Sequence, residues 1–327
     1  VKDCVLGFVE NEFTNFDKVK NYQDWIYYMF GKGIGKYFMI PYSQKFWGLN
    51  PDQLTTEWVN VRHPRPTLEE VINGALQDQE KGFGINATFH YPKKGGFGSI
   101  AKSLAKNIQD RINLKMRVTS IDTNSKEITF NNKQIISYDK IISTLPLPDL
   151  INLIPNAPVE VINATKKLKT NSIYVVNLGI SRSNLSDKSW IYYLEKDYCF
   201  FRISFPFNFT HNPHSVVPLG HSSISAEISY GNNNNLPKSK DELTELVISD
   251  LIKAKILLPN DKIVYKNTYD IKYGYVVFDK ERKPNVKIIH DYLKHLNIIP
   301  CGRYGMWAYL WSDEAILSGK NTAEKLI

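Results

Sequence analysis

Apolar residues change their spacing along the chain, and each change marks an element. Trp25, Ile26, Met29 and Phe30 recur one, three and four apart, which predicts a helix interrupted by Gly31, Gly33 and Gly35. A second amphipathic piece runs to Pro41, so the first 60 residues read mainly as helix. Thr67 and Glu70 have capping-box spacing and open a helix to about Gln79. Gly95, Gly96 and Gly98 precede a helix carrying Ile100, Leu104 and Ile108. The period then falls to two. Met116, Val118 and Ile121, then Ile128 and Phe130, then Ile135 and Ile136 predict three short strands with turns at 122–126 and 131–133. A fourth strand covers 138–144 and stops at Leu145-Pro146, followed by a helix with Val161 and Leu168. Further strands are expected at 172–181, 190–195, 200–206, 222–230 and 263–277, with a capped helix from Ser239 and Glu242 among them. The chain closes with a strand at 296–301, a Gly-Arg-Tyr-Gly turn and a helix from about Asp313.

Composition narrows the class. At 327 residues, 43% hydrophobic and 23% charged, the sequence is that of a globular protein of about two domains. The longest apolar runs fall short of the ~18 residues of a membrane span. Without a signal-peptide pattern, a cytoplasmic location is expected. Three scattered cysteines suggest neither a disulfide framework nor a zinc site. The net charge of +8 is dispersed, with no dense Lys/Arg run, so nucleic acid is not an expected partner. An anionic small molecule would need only a few convergent cations. There is no Walker loop, HExxH, CxxC or G-x-S-x-G motif, and the seven histidines have no metal-ligand spacing. Composition and spacing stop at a mixed α and β protein with a polar ligand site.

Five segments carry the reading further. They are Phe38-Met-Ile-Pro-Tyr-Ser-Gln-Lys-Phe-Trp47, Trp58-Val-Asn-Val-Arg62, Asn86-Ala-Thr-Phe-His-Tyr-Pro-Lys-Lys-Gly-Gly96, Tyr138-Asp-Lys-Ile-Ile-Ser-Thr-Leu-Pro146 and Gly302-Arg-Tyr-Gly-Met-Trp-Ala-Tyr309. In this order, with Trp190-Ile-Tyr-Tyr and Phe201-Arg202, they resemble the UDP-galactopyranose mutases, especially the eukaryotic type and its bacterial look-alikes. That family lies within the wider amine-oxidase and protoporphyrinogen-oxidase group of FAD proteins. The resemblance implies a two-domain α/β flavoprotein fold, α+β in the mixed sense, with a helical segment and a substrate-side mixed β-sheet. It implies a helical substrate or lid region at 1–85 and part of the FAD domain at 86–148. A substrate-binding sheet follows at 149–284, and the chain returns to the FAD domain at 285–327. Residues 114–145 and 296–327 should therefore meet. The family's G-x-G-x-x-G strand–turn–helix and its acidic residue ~20 positions on do not occur in this sequence. Val1 would align inside a family member, so this chain by itself is expected to bind FAD poorly.

Carried over residue by residue, the resemblance gives Arg62 and Arg202 as a clamp on the substrate diphosphate. Guanidinium groups suit that role through bidentate charge-assisted bonds. Tyr192, Tyr275 and Tyr309 would reach the diphosphate or the sugar, Phe38 and Trp47 the uracil and sugar, and Asn86 the sugar or a closing loop. Gly95, Gly96, Gly302, Arg303, Asp313 and Glu314 would face the flavin. Each residue has a plainer reading: an ion-paired arginine, a half-buried strand tyrosine, a core aromatic, a helix-opening turn or a capped terminal helix. Phe209 stands where the mutases have a further phosphate-binding tyrosine, and Val276-Val277 follows Tyr275 where the family tends to have proline. The expected activity is isomerisation of a nucleotide-diphosphate sugar of the UDP-galactose type in polysaccharide biosynthesis. Flavin N5 would be the nucleophile, with no catalytic side chain and no metal. NAD(P)H as reductant and an oligomeric assembly are compatible with the resemblance; a membrane partner is not expected. The alternatives are a flavin oxidoreductase acting on an amine or another hydride donor, and a non-enzymatic member of the group.

Overall fold

A computed structural model describes the chain except for residues 13–14, 60–64, 78–87, 232–238 and 327. Its helices are α1 (Lys2–Val9), α2 (Tyr22–Ile34), α3 (Ile40–Trp47), α4 (Leu68–Leu76), α5 (Gly98–Ala105) and α6 (Leu147–Asn152). They continue with α7 (Val159–Lys166), α8 (Lys240–Lys253), α9 (Arg282–His295), α10 (Gly302–Gly305) and α11 (Ser312–Glu324). The strands are β1 (Val118–Asp122), β2 (Glu127–Phe130), β3 (Ile135–Ser137), β4 (Ile141–Ser143) and β5 (Thr170–Ile180). They continue with β6 (Trp190–Tyr192), β7 (Arg202–Ser204), β8 (Ser222–Tyr230), β9 (Ile263–Val276) and β10 (Ile298–Pro300).

The chain forms two compact units, each from two separate stretches: 1–109 with 171–274, and 110–170 with 275–327. The grouping thus falls at other limits than the expected segments. Residues 88–109 go with the sheet strands between 171 and 274. Residues 149–170 and 275–284 go with the C-terminal segment, because α6 packs on α7 and α7 on α9.

The first unit holds a five-stranded sheet in the order β6-β7-β8-β5-β9. The pairs β6–β7, β7–β8 and β5–β8 are antiparallel. Its two faces differ because strand side chains alternate. Ile191, Ile203, Ala226 and Val176 stand opposite one another across four strands on one face. They pack on Leu243, Val247 and Leu251 of α8 in the main core. Tyr192, Arg202, Glu227 and Val175 form the next row, on the other face. There α3 is fastened by its last turn. Ser229 Oγ lies 2.7 Å from the Phe46 carbonyl, and Asn171 Nδ2 donates to the same oxygen.

The second unit holds a three-stranded antiparallel sheet, β1-β2-β3, and a two-stranded parallel pair, β4 with β10. Ile141, Ile142 and Ser143 face Ile298, Ile299 and Pro300, although 154 residues separate the strands' last and first members (298 − 143 − 1). This is the meeting of distant segments that the resemblance implied. The closeness is tight: a Cβ at Gly305 would lie 2.6 Å from the Ser143 carbonyl.

Gly31 interrupts the first long helix, as expected: its φ of 75° is non-helical, and the helical run resumes beyond it to Ile34 where the stretch packs on α1. Other elements depart from the sequence expectation. Pro41 opens α3 instead of closing a helix, since a proline in the first turn forfeits no helical hydrogen bond. The helix α9 was not anticipated. Its signal is Val286, Ile289 and Leu293, spaced by three and four in an otherwise polar stretch.

Candidate functional site

The first unit gathers four of the expected residues near the polar face of its sheet. Tyr192 and Arg202 are direct cross-strand partners on β6 and β7. Arg202 forks onto Glu227 of β8: Nε donates to Oε1 at 2.8 Å and Nη2 to Oε2 at 2.7 Å. The Arg202 side chain is 27% exposed and that of Glu227 13%, so the pair lies largely out of water. Tyr42 of α3 meets Tyr192 edge-on at 5.2 Å between ring centroids and stacks on Phe38 at 6.4 Å. Phe38, in the π-helical turn Gly35–Met39 that leads into α3, Tyr42 and Phe46 are four apart and their rings stack in a row. Phe38 is 42% exposed at the outer end of this row. Trp47 is only 5% exposed and packs on Phe46 and Trp58, as a core aromatic does. Tyr42 and Glu227 escaped the sequence reading. Tyr42 was legible as the middle member of an i, i+4, i+8 aromatic row. Glu227 was legible only as a charge in the strand pattern SSISAEISY.

Arg62 and Asn86 lie outside the described residues. Phe209 belongs to a ring cluster with Phe89, Tyr91 and Trp190, at centroid distances of 5.5, 5.6 and 6.3 Å. Its surroundings suit a ring without a hydroxyl. Gly95 and Gly96, also in the first unit, have φ of 80° and 64° and lead into α5. Ser99 Oγ donates to the Gly96 carbonyl at 2.8 Å.

The second unit brings Tyr275, Tyr309 and Arg303 together. The two tyrosine rings stack at 5.7 Å and 25°. The Arg303 guanidinium carbon lies 4.8 Å from one ring centre and 5.0 Å from the other. Arg303 Nη1 donates to the Leu310 carbonyl at 3.0 Å. Burial raises the Tyr304 hydroxyl's pKa, and the neighbouring Arg303 charge opposes that shift. Gly302 follows β10 at φ 69°, a left-handed conformation that glycine adopts without strain, and its N–H donates to Ser318 Oγ at 3.0 Å. Asp313 and Glu314 occupy the first turn of α11; Glu314 caps it by accepting the Trp311 N–H at 2.6 Å.

A separate cavity of about 840 Å³ in the first unit is lined by residues including Lys45, Asn50, Cys199 and Asp250. Lys45 Nζ donates to the Glu195 carbonyl at 2.7 Å, and burial lowers its pKa to about 8. The Cys199 N–H donates to Asp250 at 2.7 Å; burial, then the Asp250 carboxylate, push the thiol's pKa well up. None of the expected site residues lines this cavity. Among the described residues no group of three His, Cys, Asp or Glu could hold a metal, and no helix is long and apolar enough to cross a membrane.

Residues 28–327 match the model of the flavin containing amine oxidoreductases, and the chain belongs to that family. Within it, the chain is similar to a reduced UDP-galactopyranose mutase, at 28% identity and a TM-score of 0.82, covering 94% of this chain and 67% of that one. A putative protoporphyrinogen oxidase from Exiguobacterium sp. 255-15 has the same fold at 14% identity (TM-score 0.70, 99% of this chain, 71% of that one). So does an oxidoreductase from Methanosarcina mazei at 15% identity (TM-score 0.62, 99% and 72%). The fold is that of a flavin amine oxidase-type protein, mixed α/β, as the resemblance implied. A flavin is the family's cofactor. Gly95 and Gly96 in the first unit and Gly302 in the second have left-handed backbone.

Proposed function

We propose that this protein is an FAD-dependent mutase acting on a nucleotide-diphosphate sugar. The observation that carries the reading is the row Tyr192–Arg202 on the polar sheet face, flanked by the ring row Phe38–Tyr42. Together they offer a cation, a phenol and flat apolar surface, which is what a base joined to a diphosphate needs. The likeness to a UDP-galactopyranose mutase across 94% of the chain supports it. When bound, FAD supplies the nucleophilic centre for exchange at the anomeric carbon. The chain's own groups would bind and orient. Arg202 balances diphosphate charge, Tyr192 donates to a phosphate oxygen, and Phe38 and Tyr42 cover the base from water. In the second unit, Tyr275 and Tyr309 present hydroxyls, with Arg303 holding their rings. Arg62 and Asn86 keep the roles their sequence positions imply.

The second reading is a flavin oxidoreductase, and one observation favours it. Glu227 already balances the charge of Arg202, so the arginine does not require an anionic ligand to be stable. One titration separates the two readings. In the flavin-loaded full-length protein UDP should perturb the flavin absorbance and bind saturably. Arg202→Ala should weaken that binding by ~2–4 kcal/mol, the loss of a desolvated charge-assisted contact. If UDP does not bind, and an amine bleaches the flavin instead, the oxidoreductase reading replaces this one.

A further inference from the structure

We propose that the cavity lined by α3, the β6–β7 connection and α8 binds a small zwitterion: an amino acid whose carboxylate meets Lys45 and whose ammonium meets Asp250. The site does not rest on the mutase reading. The cavity of about 840 Å³ lies within the first unit, and none of the residues assigned to substrate or flavin lines it. Its volume is that of a small-molecule site.

Lys45 and Asp250 are opposite charges in one cavity that do not pair with each other. Lys45 stands in the last turn of α3 and Asp250 in the last turn of α8. The Lys45 ammonium has three donors, and one acceptor is present for them, the Glu195 carbonyl at 2.7 Å. Asp250 is only 7% exposed, and its Oδ2 accepts the Cys199 N–H at 2.7 Å. Among the described residues neither side chain has an oppositely charged group at ion-pair distance. They nevertheless feel each other: burial lowers the Lys45 pKa to about 8, and the Asp250 charge is one of those that oppose this shift. The other carboxylate of the lining, Asp197, is already met by Lys253 at 3.5 Å.

A buried carboxylate without a cation is costly. The Cys199 bond accounts for an acceptor at position 250 but not for a charge, since an asparagine oxygen would accept the same N–H. A molecule carrying both an ammonium and a carboxylate would answer each charge with the opposite one. Leu49, Leu194 and Leu246 line the same space and suit an apolar side chain on that molecule. Burial, then the Asp250 carboxylate, hold the Cys199 thiol protonated, so the chemistry of the cavity is binding and not thiol attack.

The test is calorimetric titration of the flavin-loaded full-length protein with L-norleucine, hexanoate and hexylamine, which share a carbon chain and differ in charge. Norleucine should bind saturably and about tenfold or more tighter than either single-charge probe, since each end adds a charge-assisted contact. Lys45→Met should weaken norleucine about tenfold or more without weakening hexylamine. Asp250→Asn, which keeps an acceptor for the Cys199 N–H, should weaken norleucine as much and change hexanoate less than about twofold. Leu246→Trp, which fills the cavity and leaves both charges in place, should remove the binding of all three. The wild-type comparison decides even where a variant fails to fold. Norleucine that does not bind, or binds no tighter than hexanoate, would overturn the proposal. So would norleucine affinity unchanged in folded Lys45→Met and Asp250→Asn. Norleucine that bleaches the flavin and is indifferent to Leu246→Trp occupies the flavin site instead, which overturns it as well. The UDP titration above is untouched by any of these results, so the two readings stand or fall separately.

Discussion

Lys45 shows how one residue's surroundings reach solution behaviour. Its stem is covered, its amine has a single carbonyl acceptor at 2.7 Å, and burial lowers its pKa from 10.5 to about 8. Below pH 8 both folded and unfolded chains hold the proton, and the fold bears the cost of a poorly solvated charge. Between about pH 8 and 10.5 the unfolded chain keeps the proton that the folded one has lost, so this group makes stability rise with pH. Above that window the cost is gone. Lys45→Met should therefore raise the melting temperature relative to wild type most at pH 7, with the gain shrinking toward pH 10.5. Thermal midpoints across that range give the answer, and a difference independent of pH would show that the amine is well solvated in the fold.

At the scale of elements, glycine reads differently once its neighbours are known. A Cβ on Gly33 would lie 2.0 Å from the Asp3 carbonyl oxygen and 2.6 Å from the Cys4 Cα, both backbone atoms of α1. Gly319, inside α11, has nothing within 4 Å. Gly33→Ala should thus destabilise by ~1–3 kcal/mol through overpacking. Gly319→Ala should stabilise by ~0.5–1 kcal/mol through helix propensity. Chemical denaturation of the two variants checks both signs at once. The contrast also shows what the sequence could carry. Strands β1 to β3 and β8 were legible because alternation within a few residues betrays a half-buried strand, and α4 and α8 because their capping boxes are local. The α1–α2 contact, the Arg202–Glu227 fork and the Tyr275–Arg303–Tyr309 stack were not. Each joins segments more than 20 residues apart, and no local period encodes which distant partner a side chain meets. Tyr192, Arg202 and Phe38 were singled out only through the motif resemblance, not through any local period.

For the molecule as a whole, the parallel pair in the second unit is the telling feature. Parallel strands are ordinarily covered on both faces and belong to sheets of several strands. Here, among the described residues, β4 and β10 form a sheet of two. Ile142 of β4 is 49% exposed, and Leu145, Met306 and Leu317 of the same unit are 38%, 38% and 51% exposed. Such side chains cost free energy in water, at about 25 cal/mol per Å² left uncovered. In Rossmann-type units a dinucleotide's pyrophosphate sits on a G-x-G-x-x-G turn between strand and helix, and these 327 residues contain none. The 327-residue chain expressed by itself should therefore retain FAD in clearly substoichiometric amounts after gel filtration. Supplying the G-x-G-x-x-G strand–turn–helix of a family member as a separate polypeptide should raise the retained flavin. It should also slow hydrogen exchange at 141–143, where an added parallel strand would pair. A stoichiometric yellow complex formed by the 327 residues alone would show instead that the pyrophosphate is held by turns already present, with Gly95-Gly96 and Gly302 the first to test by alanine substitution.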